Sequence, residues 1–562
     1  MKLKLFLLGL VALPFLGYGQ QSIRISWIFP QENQHELWLN NQDLAGRKID
    51  SLVNFFQSQG YLETRYDSQI SSDTSFVNFH LGPLYSWSEL AVESVPIELI
   101  QKFGKPGLSY QEPYLWIDKL IKDGENQGFP FAQAKIDSIV IREKRLSGIV
   151  VFDPGPLIVW DSLEINSGSK TKRNYLQLLS GLAPGEAFSQ EKFDKTNRRL
   201  RQSPYFSFSN PPELSFQYQK ARPFYSLRER QINIFDGIIG FLPNENEPGK
   251  LLVTGQIDLQ LYHLAGKGRD FSLQWQRLNV QSQSLELAFK EAFVFRSLLD
   301  FGAQFSLLKQ DSSFVNRTFE LDFGYRISDS GYLNFFTKRQ AGDLIDSGVG
   351  SDLQELPQSI DYRWNQYGIR GEWTNLDDRI FPRRGWNFSA NFAVGNKRIL
   401  DNTAIPEELY EGLEENSLQM QGFFGVENHI FIKPQWGMYF RGEAGFIDNN
   451  QLFLNEFFRL GGLKSIRGFN EKFFFAKSYG LLSMEQRLYF GQSSYLLAFA
   501  DFGMLSNPYN SPKNDKPFSF GSGINLDTGG GLFSFVFALG KSTIQPLSFE
   551  YARIHFGYLA RF

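Results

Sequence analysis

From about Gln231 to the C-terminus the sequence alternates apolar and polar residues with period two, and no other feature restricts the chain as strongly. In 256–262, Ile257, Leu259 and Leu261 fall on one face while Gln256, Asp258, Gln260 and Tyr262 fall on the other. In 271–276, Phe271, Leu273 and Trp275 alternate with Ser272, Gln274 and Gln276. The same holds for Phe319, Leu321, Phe323 and Tyr325 in 319–326, and for Trp386, Phe388, Ala390 and Phe392 in 386–392. Successive side chains of a strand point to opposite faces, so each segment is a strand with one wet and one apolar side. A soluble sandwich would share that pattern, but not the aromatic load of 16%, with 56 Phe, 23 Tyr and 10 Trp. Lipid-facing phenylalanines and the aromatic girdles of a membrane barrel account for it. About sixteen candidate strands lie between 231 and 562, an even number as such barrels have. Closure is required, because an unpaired backbone group in lipid costs several kcal/mol. The last strand places Ile554, Phe556, Tyr558, Ala560 and the terminal Phe562 on one face, with Arg553, His555, Gly557 and Arg561 on the other.

The N-terminal third repeats itself. Gly82-Pro83-Leu84-Tyr85-Ser86-Trp87-Ser88-Glu89-Leu90 and Gly155-Pro156-Leu157-Ile158-Val159-Trp160-Asp161-Ser162-Leu163 share glycine, proline, leucine, tryptophan and a final leucine in register, about 73 residues apart. Each follows a helical segment ending in an aromatic, Gln59-Gly60-Tyr61 and Gln127-Gly128-Phe129, and a third unit offers Ser203-Pro204-Tyr205-Phe206. Every unit is expected to run strand, two helices, hairpin. In the third these are 158–165, then 171–181 and 189–202, then 205–218, and the first, 21–82, is the least regular. Small α+β units in series leave open sheet edges, which can accept an extended chain. Residues 1–19 have the order of an export signal, with Lys2 and Lys4, an apolar stretch from Leu5 to Leu16, then Gly17-Tyr18-Gly19.

Other classes are set aside by composition. After the N-terminus no apolar run approaches the roughly 20 residues of a membrane helix. A formal net charge of −3 with no long basic run argues against nucleic acid. With no cysteine there is no disulfide, thiolate metal site or cysteine nucleophile. The five histidines, His35, His80, His263, His429 and His555, stand too far apart for a His-x-x-x-His metal pair. No Gly-x-Ser-x-Gly element or phosphate-cradling loop accompanies them. The expectation is a non-enzyme with no catalytic residue, metal or cofactor.

Between the strand-like runs 436–446 and 480–490 lies Gly461-Gly462-Leu463-Lys464-Ser465-Ile466-Arg467-Gly468-Phe469, too long for a tight hairpin turn. Connections of this kind inside an ordered domain are functional or disordered. Taken with the repeat arm and the barrel, in that order, it resembles the BamA/TamA superfamily, also called bacterial surface antigens, and the repeats resemble its POTRA domains. Ser465-Ile466-Arg467-Gly468-Phe469 is similar to the family's Val-Arg-Gly-Phe/Tyr loop, with isoleucine for valine. Phe381-Pro382-Arg383-Arg384-Gly385 resembles a Phe-Pro-x-x-Gly motif before a mid-barrel strand, and Phe499-Ala500-Asp501 resembles a Phe-x-Asp element on the lumen wall. Phe556, Tyr558 and Phe562 resemble the C-terminal strand signal of outer-membrane proteins.

The resemblance implies an export signal over 1–19, POTRA-like units over 20–82, 83–155 and 156–222, and a transmembrane β-barrel over 223–562. It implies that the loop folds into the lumen, where Arg467 pairs with Asp501 beside Phe499. It also implies a lateral gate between a first strand near 231–242, which contains Gly237 and Gly240, and a last strand near 550–562. In size and layout the chain looks most like TamA. The function implied is assembly: periplasmic repeats receive unfolded outer-membrane proteins, the barrel passes them into outer-membrane lipid, and a TamB-like periplasmic protein is the partner. The alternative is a two-partner-type secretion pore for one exoprotein.

Overall fold

The computed structural model describes residues 22–28, 34–39, 42–70, 74–166, 168–243, 251–277, 282–310, 313–328, 330–345, 353–379, 381–433, 435–491, 493–528 and 531–561. The export-signal stretch and Phe562 lie outside them. The chain divides into two compact units, one holding the first two repeats and the other holding most of the third repeat with the barrel.

In the first unit, residues 22–80 form a four-stranded sheet ordered Gln34–Leu39, Ser22–Ile28, Thr74–His80, Arg65–Ile70, under one helix, Gln42–Ser58. Leu52 and Phe56 of the helix bury against Ile23, Ile25, Val77 and Phe79. The expected second helix of this repeat is absent among the described residues. A second strand, Gln34–Leu39, occupies the interval before Gln42, and it pairs antiparallel with Ser22–Ile28. The second repeat has the expected order. Strand Ser86–Val92 is followed by helices Ile97–Phe103 and Glu112–Asn126, then by the hairpin Gln133–Arg142 and Arg145–Asp153. Its core joins Trp116, Ile117 and Leu120 to Val150 and Phe152. Strand Gln133–Arg142 pairs only with Arg145–Asp153, which leaves its other side open among the described residues.

In the second unit the third repeat contributes helices Arg173–Ser180 and Gln190–Arg201, whose Leu176, Leu179, Phe193 and Leu200 are buried. Its strand Lys220–Tyr225 runs past residue 222, so the repeat's sheet extends beyond the sequence-expected edge. The barrel begins with β1 (Ile234–Pro243), β2 (Leu251–Leu264), β3 (Arg269–Arg277) and β4 (Gln283–Glu291). It continues with β5 (Leu299–Gln310), β6 (Phe314–Arg326), β7 (Gly331–Leu344) and β8 (Tyr362–Thr374). The next four are β9 (Gly385–Ile399), β10 (Asn416–Lys433), β11 (Trp436–Asp448) and β12 (Ser478–Tyr489). The last four are β13 (Tyr495–Ser506), β14 (Phe518–Thr528), β15 (Gly531–Lys541) and β16 (Arg553–Arg561). All pair antiparallel with their sequence neighbours and close into a barrel; a two-residue segment, Asn514–Asp515, adds a short bridge beside β13, which pairs directly with β14. The alternation sets the faces: Phe319, Phe323, Tyr325, Trp386 and Phe392 are exposed outward, whereas Glu320 is buried inside. No helix among the described residues is long and apolar enough to cross a membrane.

The third repeat packs on the barrel turns of its own unit. Tyr205 stacks on His263 of β2 at 4.7 Å and donates its hydroxyl to Asp270 of β3 at 2.8 Å. Gly266 accepts from the amide of Lys172 at 2.9 Å.

Candidate functional site

The connection between β11 and β12 folds back on itself. Phe458–Leu460 pairs antiparallel with Phe474–Ala476, and the motif loop hangs from that short ladder. Gly461, Gly462 and Gly468 sit at φ of 118°, 92° and 82°, the left-handed region that glycine enters without a side-chain clash. Gly468 has a second reason to be glycine, because a Cβ there would lie 2.8 Å from the amide nitrogen of Gly540 on β15. Ile466 and Phe469 flank the arginine and are fully buried with Leu460, Phe474, Leu481 and Leu505, so apolar burial sets the depth of the loop. Ser465 accepts from the Gly461 amide at 2.7 Å and closes the turn.

Arg467 is 6% exposed and fully engaged. Its Nε and Nη2 donate to the two oxygens of Asp501 at 2.8 and 2.6 Å, and its own amide donates to Asp501 Oδ2 at 3.0 Å. Such a bidentate, charge-assisted pair is the strong form of the interaction. The guanidinium lies 3.7 Å from the centre of the Phe499 ring, a cation–π contact. Asp501 and Phe499 are two residues apart on β13, so the strand period puts both on the inner wall.

Four further side chains complete the site. Glu485 of β12 accepts from Arg467 Nη1 at 2.6 Å, and Arg487 donates to its other oxygen at 2.8 and 2.7 Å. Arg487 in turn lies between the rings of Tyr439 and Tyr495, at 4.5 and 4.9 Å. From β11, Arg441 donates to the carbonyls of Lys464 and Ser465 at 2.5 and 2.6 Å. Gln545, in the connection before β16, donates to the carbonyls of Gly468 and Gly540. Burial alone would lower the Arg467 pKa, but the hydrogen bonds and charges of Asp501 and Glu485 outweigh it and hold the group above its ordinary range. The guanidinium is therefore a permanent cation between two carboxylates.

The same connection is fastened a second time. Glu456 accepts from Lys397 of β9 at 2.5 Å, with neither side chain exposed. The neighbouring Asn455 side chain exchanges two hydrogen bonds with the backbone of Ile360, and Asn316 of β6 donates to its carbonyl.

The other sequence-expected residues lie apart from this cluster. Phe381, Pro382 and Gly385 belong to the turn between β8 and β9, where Asp377 accepts from the amides of Arg383 and Arg384, and Asp378 from that of Phe381. Gly385 sits at φ 116°, where a Cβ would come within 2.6 Å of the Asn375 carbonyl. Arg230, just before β1, donates to Asp378 at 3.0 Å. Phe556 and Tyr558 belong to β16, and their side chains lie outside the described residues, as does all of Phe562. Among the described residues the barrel closes where β1 meets β16 through two residue pairs, Ile234 with Arg561 and Phe235 with Ala560. By contrast β1 pairs with β2 over ten positions and β15 with β16 over eight.

Glu485, Arg487, Arg441, Gln545 and the Lys397–Glu456 pair escaped the sequence reading. For Glu485, Arg487, Arg441 and Lys397 the signal present was a charged residue on the inward phase of an alternating strand, which is too common in a polar lumen to single any of them out, and Gln545 and Glu456 lie in connections with no period at all.

The Omp85 superfamily domain matches residues 264–562. No curated protein matches the sequence. Among solved structures, the fold is similar to that of CdiB from Escherichia coli, with a TM-score of 0.55, 12% identity, and coverage of 93% of this chain and 98% of that one. CdiB from Acinetobacter baumannii gives a TM-score of 0.52 at 11% identity with the same coverage. BamA from Haemophilus ducreyi lacking POTRA domains 1–3 gives 0.44 at 14% identity, covering 85% of this chain and all of that one. With the family domain matched over more than half its length, this chain belongs to the Omp85 superfamily.

Proposed function

We propose that the protein is an outer-membrane protein assembly or translocation factor, seated in a bacterial outer membrane with its repeats in the periplasm. The observation that carries this reading is the seam: among the described residues two residue pairs join β1 to β16, against ten and eight on either flank. Strand pairing lost at that point exposes two edges, and an unpaired edge is a template for an incoming strand. The open side of Gln133–Arg142 in the second repeat offers a further edge for an extended client. The docked loop keeps the inner wall rigid beside this seam, because Arg467 ties it to β12 and β13 while Gly468 rests on β15. In this reading the chain is not an enzyme: clients enter along the repeats, pair at the seam and leave into lipid, and a TamB-like periplasmic partner serves the repeat arm.

A secretion pore of the two-partner type for a single exoprotein fits the same fold, and the likeness to the two CdiB structures is of fold alone. Quantitative proteomics of outer-membrane fractions after depletion separates the two. Many unrelated barrels falling together supports assembly; one secreted protein vanishing while the barrels hold constant overturns it.

A further inference from the structure

The turn between β4 and β5 is built from residues that resist its shape. Phe293, Phe295 and Arg296 have φ of 56°, 55° and 58°, all left-handed and none of them glycine. Left-handed backbone crowds the Cβ of an L-residue, and bulky side chains are outliers there. Strain of this kind persists where the surrounding structure imposes it. Here it turns two phenylalanines, two positions apart, to different surroundings. Phe293 packs its ring 5.5 Å from Tyr175 of the third repeat, and its amide donates to Asp300 at 3.1 Å. Phe295 is 99% exposed, the most exposed large apolar side chain among the described residues. Arg296 beside it is exposed and makes no ion pair among the described residues, and Leu298 and Leu299 are exposed as well.

This patch continues a surface already assigned. Leu299 starts the outward face of β5, and Phe289 of β4 is exposed on the same apolar wall. Phe295, Leu298 and Arg296 therefore extend the lipid-facing belt past the strand ends, on the side where the third repeat sits. An aromatic tip beside a free cation is the composition of an interfacial anchor, with apolar groups in the acyl boundary and the cation among lipid phosphates.

We propose that the turn 292–299 is a membrane-interface anchor, with Phe295 and Leu298 in the headgroup layer and Arg296 on lipid phosphate. Because Phe293 of the same turn grips Tyr175, the anchor holds the third repeat at a set height above the bilayer. This holds whichever cargo the barrel handles, so it stands or falls independently of the assembly reading.

The chain has no cysteine, so a single introduced thiol can be labelled without background. Phe295→Cys and, separately, Leu298→Cys in the full chain are labelled with NBD and folded into phosphatidylcholine–phosphatidylglycerol vesicles. Folding is verified by the mobility of the unheated protein in gel electrophoresis. The expected result at both positions is blue-shifted emission, strong quenching by lipids bearing a shallow nitroxide, and protection from iodide in solution. Arg296→Gln should reduce the nitroxide quenching in vesicles rich in phosphatidylglycerol. Emission like that of free dye, quenched by iodide and indifferent to nitroxide lipid at both positions, overturns the proposal.

Discussion

At the scale of single residues, the site is a chain of alternating charge, Asp501–Arg467–Glu485–Arg487, in which each arginine satisfies a carboxylate that would otherwise be buried alone. Removing one member strands its partner, at a cost of about 3–5 kcal/mol when burial is deep. Arg467→Ala should therefore lower the temperature at which the folded, fast-migrating form converts to the unfolded one on a gel. A double-mutant cycle with Asp501→Asn should show coupling larger than that with Glu485→Gln, since the Arg467 guanidinium gives Asp501 two hydrogen bonds and Glu485 one. Equal coupling would remove the special standing of Asp501. Gly468→Ala meets both a left-handed backbone and the amide of Gly540, so it should destabilise by more than the roughly 1–2 kcal/mol of the backbone term alone. The thermal shift of the same gel conversion measures it. Lys397→Met alone leaves Glu456 buried without its cation and should be severe, whereas Lys397→Met with Glu456→Leu should regain most of the loss. Failure of the double variant to recover would mean that the pair acts through geometry rather than charge. Arg467, Asp501 and Phe499 were legible because a short motif marks them. Lys397 and Glu456 were not, because their meeting depends on where a long connection folds, which no local pattern encodes.

At the scale of elements, the period-two alternation predicts about sixteen strands, and the faces of the segments it marks most cleanly, because in a barrel both the lipid and the lumen act on every strand. The first repeat was less legible. A short segment before residue 42 carries no period long enough to separate helix from strand, and the pairing that makes 34–39 a strand comes from its neighbour 22–28. The seam is an element-scale property, since it lies in the register between the first and last strands. Phe235→Cys with Ala560→Cys joins two positions that face each other across it. The disulfide should form under mild oxidation and stop client insertion while leaving the barrel folded, and reductant should restore activity. Full activity in the oxidised form, assayed by insertion of a client barrel into vesicles, would exclude seam opening from the mechanism.

At the scale of the molecule, most of the third repeat and the barrel form one compact unit, joined by the Tyr205–His263 stack, the Tyr205–Asp270 hydrogen bond and the Tyr175–Phe293 contact. Tyr205→Ala should expose the 202–230 segment to limited proteolysis while the barrel's gel conversion temperature stays constant. A drop in that temperature instead would show that the repeat is part of the barrel's own stability. The connection that carries Arg467 is held both there and at Glu456, eleven residues earlier. When one anchor lets go, the other keeps it within a few residues' reach, at an effective concentration on the order of millimolar. Rebinding then outruns escape, so the lumen loop leaves the wall only when both ion pairs fail together. Its release is a rare, all-or-none event rather than a graded loosening.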